Sequence, residues 1–167
     1  MPDLPKPIEI PHEVLDVVYA HAREAFPAES CGWLEGRKNG ADVTHSHPCE
    51  NEQSQGTHPT VAGRGEERAY IFSAADVIAF NEGIDTDEPP RIIYHSHPNG
   101  KAYFSDTDTN VATNQFDGGK MYPVQQLVVG IDETRVVEAI LFDWSKDAQG
   151  FVEIQRFQGQ LKTNPAV

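Results

Sequence analysis

A one-sided apolar stripe with the spacing of an α-helix lies between Pro11 and Pro27. Its members are Val14, Leu15, Val18, Ala22, Ala25 and Phe26. Proline is common at the start of a helix, because its missing N–H would have no partner there. The pattern predicts a helix that opens at Pro11, ends at Pro27 and buries one face.

Short apolar runs elsewhere have the length and the bounding turn residues of β-strands. The predicted strands are 31–36, 41–47, 69–73, 91–94, 124–131, 136–144 and 151–157. Serine N-caps predict two more helices, from residue 74 to about 83 after Ser73 and about 106–116 after Ser105. Val77, Ile78 and Phe80 are expected to be the buried side chains of the first of these. Helices and strands alternate, which predicts an α/β or α+β domain with a central sheet.

The length of 167 residues indicates one domain, which we place at residues 1–157 with a loose tail at 158–167. The net charge of −13 repels phosphate and anionic lipid, so neither nucleic acid nor a membrane surface is expected as a partner. The first ten residues lack the pattern of a signal peptide, and no run approaches the roughly 20 apolar residues of a membrane span. We expect a cytoplasmic protein with free thiols, Cys31 in the core and Cys49 in a surface loop.

The sequence His-Ser-His-Pro occurs twice, at residues 45–48 and 95–98. Residues i and i+2 of an extended chain point to the same side, so either copy can direct both imidazoles at one ion. After the second copy a loop leads to Ser105, and Asp108 lies in the first turn of the predicted helix. Asp108 can then complete a three-ligand zinc site with one open position. The alternative is that Ser105 and Asp108 serve only to cap the helix.

The first copy is followed by a long polar loop over residues 48–68. Potential ligands in this segment are Cys49, Glu50, Glu52 and His58. No ordered element is predicted there to position them, and metal ligands need such support. We therefore interpret His45 and His47 as exposed histidines at a strand end, with a structural metal site as the alternative.

A zinc-bound water needs a general base to accept its proton and pass it to the leaving amine. Glu29 lies at the junction of the first helix and the first strand, where a side chain can face a cleft. Glu24 and Glu35 are expected at the surface. Spacing alone does not choose among the three.

Three segments together resemble the JAB/JAMM (MPN-plus) zinc metalloproteases. They are ESCGWLEG at 29–36, HSHP at 95–98 and SDTD at 105–108, and the resemblance covers about residues 8–145. It is strongest to the short bacterial-type members. It implies a cytidine-deaminase-like three-layer domain, in which helices flank a central mixed sheet.

The resemblance also implies a role for individual side chains. His95, His97 and Asp108 would bind zinc, one ion per chain, with Glu29 as the general acid/base. Ser105 would help to stabilise the oxyanion. The implied reaction is hydrolysis of a peptide or isopeptide bond at the C-terminus of a ubiquitin-like protein, here of the sulfur-carrier type.

Two other functions are compatible with the same fold. A non-catalytic scaffold or binding module would share the architecture but would have lost the metal. A zinc-dependent deaminase would need H-x-E followed by P-C-x-x-C, and the sequence has neither. The retained histidines, aspartate and glutamate favour the hydrolase.

Overall fold

The structure is a computed structural model that describes residues 4–51, 72–114 and 116–161. Its elements in chain order are α1 (His12–Ala25), β1 (Cys31–Glu35), β2 (His45–Cys49), α2 (Ala74–Ile84), β3 (Pro90–His97), α3 (Asp106–Ala112), β4 (Gln125–Ile131), β5 (Arg135–Ser145) and β6 (Gly150–Leu161). The strands form one sheet in the order β2-β1-β3-β4-β5-β6. The β3–β4 pair is parallel, and the other neighbouring pairs are antiparallel. The predicted mixed domain with a central sheet is confirmed.

The first predicted helix is confirmed as α1, which packs on one face of the sheet. Its buried side chains are Val14, Val18, Tyr19 and Ala22. They join Leu34, Ile92 and Leu127 from the central strands in the largest apolar cluster of the described residues. Burial of a large aliphatic side chain stabilises the fold by about 1.5–3 kcal/mol, so this layer contributes most of the core.

The opposite face of the sheet carries α2, which contacts it mainly through Phe80. The Phe80 ring lies 5.3 Å from that of Trp33 and 5.0 Å from that of Tyr122, centroid to centroid. The predicted burial of Val77 and Ile78 is wrong, since they are 43% and 58% exposed. The sheet covers only the side of α2 that carries Phe80. None of the described helices has the length and apolarity to cross a membrane.

Several predicted boundaries differ from those observed. β2 starts later than predicted and includes the whole first HSHP copy, so that Cys49 is a buried strand residue rather than a loop thiol. α3 ends at Ala112, before the predicted limit of residue 116. β6 reaches Leu161 by pairing with β5, past residue 158 where a tail was predicted. Residues 52–71 and 162–167, with most of the predicted loop and of the strand at 69–73, lie outside the described residues.

The central strands bring distant parts of the sequence to one place. β3 ends in the second HSHP copy, and β1 runs antiparallel beside it with Cys31 opposite His95. The start of β1 therefore lies next to the end of β3. Glu29 precedes Cys31 by two positions, so the same strand pairing carries it towards His97.

Candidate active site

Three side chains from β3 and α3 meet with their metal-binding atoms almost equidistant. His95 Nε2 and His97 Nε2 are 3.1 Å apart. Asp108 Oδ2 lies 3.2 Å from the first and 3.3 Å from the second. His95 is 0% exposed and His97 is 7% exposed, so the triangle is largely removed from water.

The triangle has the dimensions of one face of a zinc coordination tetrahedron. With bonds of about 2.0–2.1 Å, neighbouring ligand atoms around tetrahedral zinc are about 3.3 Å apart. Two imidazoles and one carboxylate are also a common ligand set of catalytic zinc, with the fourth position left to water or substrate. The side chains present therefore fit this metal in both geometry and donor type.

The electrostatics of the triangle favour the forms that bind a metal. Burial lowers the pKa of His95, and this outweighs the opposing effect of the Asp108 charge. Burial raises the pKa of Asp108, but the lowering effects of His95, His97 and the Ser105 backbone N–H outweigh it, so that this pKa lies well below its usual value. A neutral imidazole and an ionised carboxylate are the states that can coordinate a cation.

The loop after β3 fixes the orientation of His97. Its Nδ1 is 3.1 Å from the carbonyl oxygen of Lys101, which can only accept, so Nδ1 carries a proton and Nε2 is the nitrogen that faces His95 and Asp108. The Tyr103 ring packs on the imidazole at 4.8 Å between centroids. The loop can lie this close to β4 because Gly130 has no side chain, since a Cβ there would be 2.7 Å from the carbonyl oxygen of Gly100.

Asp108 both caps a helix and faces the imidazoles. Its Oδ2 accepts from the Ser105 backbone N–H at 3.0 Å, and Ser105 Oγ accepts from the Asp108 backbone N–H at 3.0 Å. This capping box uses the same carboxylate oxygen that completes the triangle. Capping and ligation are thus compatible, although the sequence presented them as alternatives. As an acceptor in the cap, the Ser105 hydroxyl keeps its own proton for donation.

Glu29 lies beside the triangle, as its position in the sequence predicts. One of its carboxylate oxygens is within 4.8 Å of a ring nitrogen of His95 and of His97, and the residue is 5% exposed. The other two candidates lie elsewhere. Glu24 is exposed on α1, and Glu35 accepts a hydrogen bond of 2.9 Å from Trp33 Nε1.

Two residues fix the backbone at and beside Glu29, a role that the sequence assigned to neither of them. Ser96, between the two histidines, accepts from the Ser30 backbone N–H at 2.8 Å and donates its own N–H to the Ser30 carbonyl oxygen at 3.0 Å. Asn51 Nδ2 donates to the Glu29 carbonyl oxygen at 3.1 Å. Both contacts depend on strand register, for which the local sequence carries no signal.

Ser96→Ala is expected to lower the free energy of unfolding by about 1–3 kcal/mol, because it leaves the buried Ser30 N–H without its acceptor. The backbone just before β1 would then be less well fixed, and so would the position of Glu29. Urea denaturation measures the effect. Ser46→Ala, the same change in the half-buried first copy, is the control and should stay within about 0.5 kcal/mol of wild type. Equal effects of the two changes would contradict this role of Ser96.

The first HSHP copy lies on β2, which continues past the predicted strand end at His47 to Cys49. His45 and Glu50 are exposed, as expected for a strand end. His47 is different, because its ring stacks on Trp33 at 4.0 Å and its Nε2 lies 3.4 Å from Asp76 Oδ1. The other potential ligands named for this copy, Glu52 and His58, lie outside the described residues.

The chain is similar in sequence to CysO-cysteine peptidases and to a desampylase. CysO-cysteine peptidases of Mycobacterium tuberculosis and Mycobacterium bovis are 33% identical over 102 residues, which are 60% of this chain and 62% of theirs. A desampylase of Haloferax volcanii is 31% identical over 103 residues, which are 59% of this chain and 67% of that protein. The match thus spans less than two thirds of the mycobacterial peptidases.

Two solved structures share the fold. A protein from Desulfitobacterium hafniense aligns with a TM-score of 0.55 at 23% identity, over 87% of this chain and 88% of that one. A protein from Salinibacter ruber aligns with a TM-score of 0.57 at 21% identity, over 95% and 94%. The family model that describes prokaryotic homologs of the JAB domain matches residues 11–140, which include the whole candidate site. The chain therefore belongs to the family of prokaryotic JAB-domain proteins.

Proposed function

We propose that the protein is a zinc-dependent hydrolase that cleaves a peptide or isopeptide bond at the C-terminus of a ubiquitin-like protein of the sulfur-carrier type. The observation that carries this proposal is the triangle of His95, His97 and Asp108, with sides of 3.1–3.3 Å and with Glu29 beside it. Family membership supports the hydrolase. The names of the similar proteins, CysO-cysteine peptidase and desampylase, support the class of substrate.

The two carboxylates near the histidines take different roles in this proposal. Asp108 reaches both imidazoles within 3.3 Å and is the ligand. Glu29 has a carboxylate oxygen within 4.8 Å of a ring nitrogen of each histidine, and it is the proposed general base for the attacking water. An ionised Glu29 would take a proton from that water and later deliver it to the leaving amine.

When bound, zinc would act as a Lewis acid on the scissile carbonyl and would acidify the attacking water. The protein supplies the rest. The Ser105 hydroxyl donates a hydrogen bond to the carbonyl oxygen as negative charge develops there. Burial of His95 and Glu29 keeps bulk water away, so that these interactions act in a medium of low dielectric constant.

The same burial counts against a non-catalytic scaffold. Glu29 and His95 are 5% and 0% exposed, and burying ionisable groups costs free energy unless their interactions compensate. Clusters of this kind are concentrated at functional sites. A non-catalytic scaffold would bear the cost of burying Glu29 beside two histidines without any catalytic role to account for it.

The test is cleavage of a defined substrate by zinc-loaded protein. One probe is a ubiquitin-fold sulfur carrier with a single cysteine after its C-terminal Gly-Gly, and a second has a lysine side chain joined to the same Gly-Gly end. Mass spectrometry should show release of the added residue and an exposed Gly-Gly terminus in at least one of them. Which probe is cut distinguishes peptide from isopeptide specificity. An intact mass for both with fully loaded protein would contradict the proposal.

A further inference from the structure

A second group of metal-binding side chains lies outside the candidate active site. His47 and Cys49 of β2 face Asp76 of α2, and one ligand atom from each lies within 4.8 Å of the others. The closest approach of the histidine to the carboxylate is 3.4 Å, from Nε2 to Oδ1. We propose that these three residues form a second metal site, for a thiophilic divalent cation such as Zn²⁺.

This group repeats the architecture of the first one. In both, the second histidine of an HSHP copy faces an aspartate in the first turn of a helix that a serine caps three residues earlier. Ser73 Oγ accepts from the Asp76 backbone N–H at 3.1 Å, and Ser105 Oγ accepts from that of Asp108 at 3.0 Å. The histidine-to-aspartate distances are 3.4 Å for the second group and 3.3 Å for the first. Both helix starts have the sequence S-x-x-D. The two groups resemble each other in their arrangement in space, because different lengths of chain separate the HSHP copy from the helix in the two cases.

The imidazole of the second group is held in place before any ion arrives. His47 stacks face to face on Trp33, with centroids 4.0 Å apart and ring planes 5° apart. Trp33 is itself 1% exposed and packed against Phe80, so it is a rigid support. A fixed ring that directs Nε2 at a carboxylate is the usual condition of a histidine ligand.

The cysteine determines which ion the group would take. A cysteine sulfur beside an imidazole and a carboxylate favours zinc over magnesium and calcium, which prefer oxygen ligands. Burial and the Asp76 charge raise the pKa of Cys49, so the ion would bind by displacing the thiol proton. Cys49 is 7% exposed, whereas the His47 side chain is 39% exposed, so the group is open to solvent on one side only. An ion and any water ligand would enter from that side.

The second group lies one strand away from the candidate active site, on the same face of the sheet. Cys31 of β1 pairs with Cys49 on one side and with His95 on the other. An ion bound there would link the edge strand β2 to α2, next to β1, which begins two residues after Glu29. Cys31 does not belong to the group and supplies a matched control for Cys49.

Cobalt distinguishes the two groups, because a Co²⁺ ion with a thiolate ligand shows an intense sulfur-to-metal charge-transfer band in the near ultraviolet. The first group has no sulfur. Titration of the metal-free protein with Co²⁺ should produce the band in wild type, in Cys31→Ser and in His97→Ala. Cys49→Ser should abolish it, and Asp76→Asn should weaken Co²⁺ binding at least about 100-fold, more than loss of a supporting group costs.

Zinc content provides an independent readout that does not involve hydrolysis. Elemental analysis should give one ion per chain fewer in Cys49→Ser than in Cys31→Ser. If Cys49→Ser does not fold, His47→Gln at the half-exposed position should give the same loss. No band in wild type, or a band that persists in Cys49→Ser, would overturn the second site and leave the proposed hydrolase untouched.

Discussion

Glu29→Gln should retain its zinc and hydrolyse the ubiquitin-like substrate about 10²–10⁴-fold more slowly than wild type, the usual contribution of a general acid/base. Glutamine has nearly the same size as glutamate, so the buried side chain can keep its place beside the two histidines. Its amide cannot accept the proton of the attacking water. The loss should therefore appear in kcat, with little change in KM.

The measurement pairs single-turnover kinetics with the zinc content of the same sample. Glu24→Gln is the matched control, because Glu24 is an exposed glutamate of α1 outside the site. It should keep wild-type activity. A Glu29→Gln protein with full activity would remove Glu29 from the mechanism. An inactive one that has also lost its zinc would make Glu29 a ligand instead of a base.

His97→Ala should weaken zinc binding at the candidate active site by more than the roughly 100-fold that loss of a supporting group costs. The variant removes one corner of the triangle and leaves Asp108 with a single imidazole neighbour. Its affinity can be measured by competition with a chelator, in a Cys49→Ser background so that only this centre is counted. Added zinc should raise the Tm of the Cys49→Ser protein, because a ligand that binds only the folded state stabilises it. It should change the Tm of the same protein with His97→Ala very little.

His45→Ala is the control for this experiment. His45 is the exposed first histidine of the other HSHP copy and belongs to neither group of ligand atoms in the described residues. Its removal should change neither zinc affinity nor hydrolysis. If His45→Ala loses the ion and His97→Ala keeps it, the assignment of the two copies is reversed.

The parts of the site that lie close together in the sequence were predictable from it. His95 and His97 share a side of one strand, and Ser105 and Asp108 belong to one helix start, so local rules placed them. Helix α1 was predictable for the same reason, since its stripe lies within one element. Local rules were not sufficient to select Glu29, because only the family resemblance distinguished it from Glu24 and Glu35.

The remaining features depend on which segments become neighbours in space. Cys49 is buried because β2 pairs along its whole length with β1 and because α2 covers that face. Asp76 meets His47 across a long stretch of chain, and no periodicity indicates such a contact. Val77 and Ile78 are apolar residues of a helix that also buries Phe80, yet both are exposed because α2 contacts the sheet on one narrow side only. Tertiary packing decided these positions, and local pattern did not.

The oxygen that Asp108 shares between the cap of α3 and the two imidazoles has a thermodynamic consequence. The hydrogen bond from the Ser105 backbone N–H holds Asp108 Oδ2 beside both imidazoles in the folded chain, so the conformational entropy of ordering this carboxylate would be lost during folding rather than on metal uptake. Preorganised sites of this kind bind more tightly, because little reorganisation remains to oppose binding. For the proposed zinc, the folded chain would thus be a receptor that is already assembled, unlike small domains that fold only when zinc arrives.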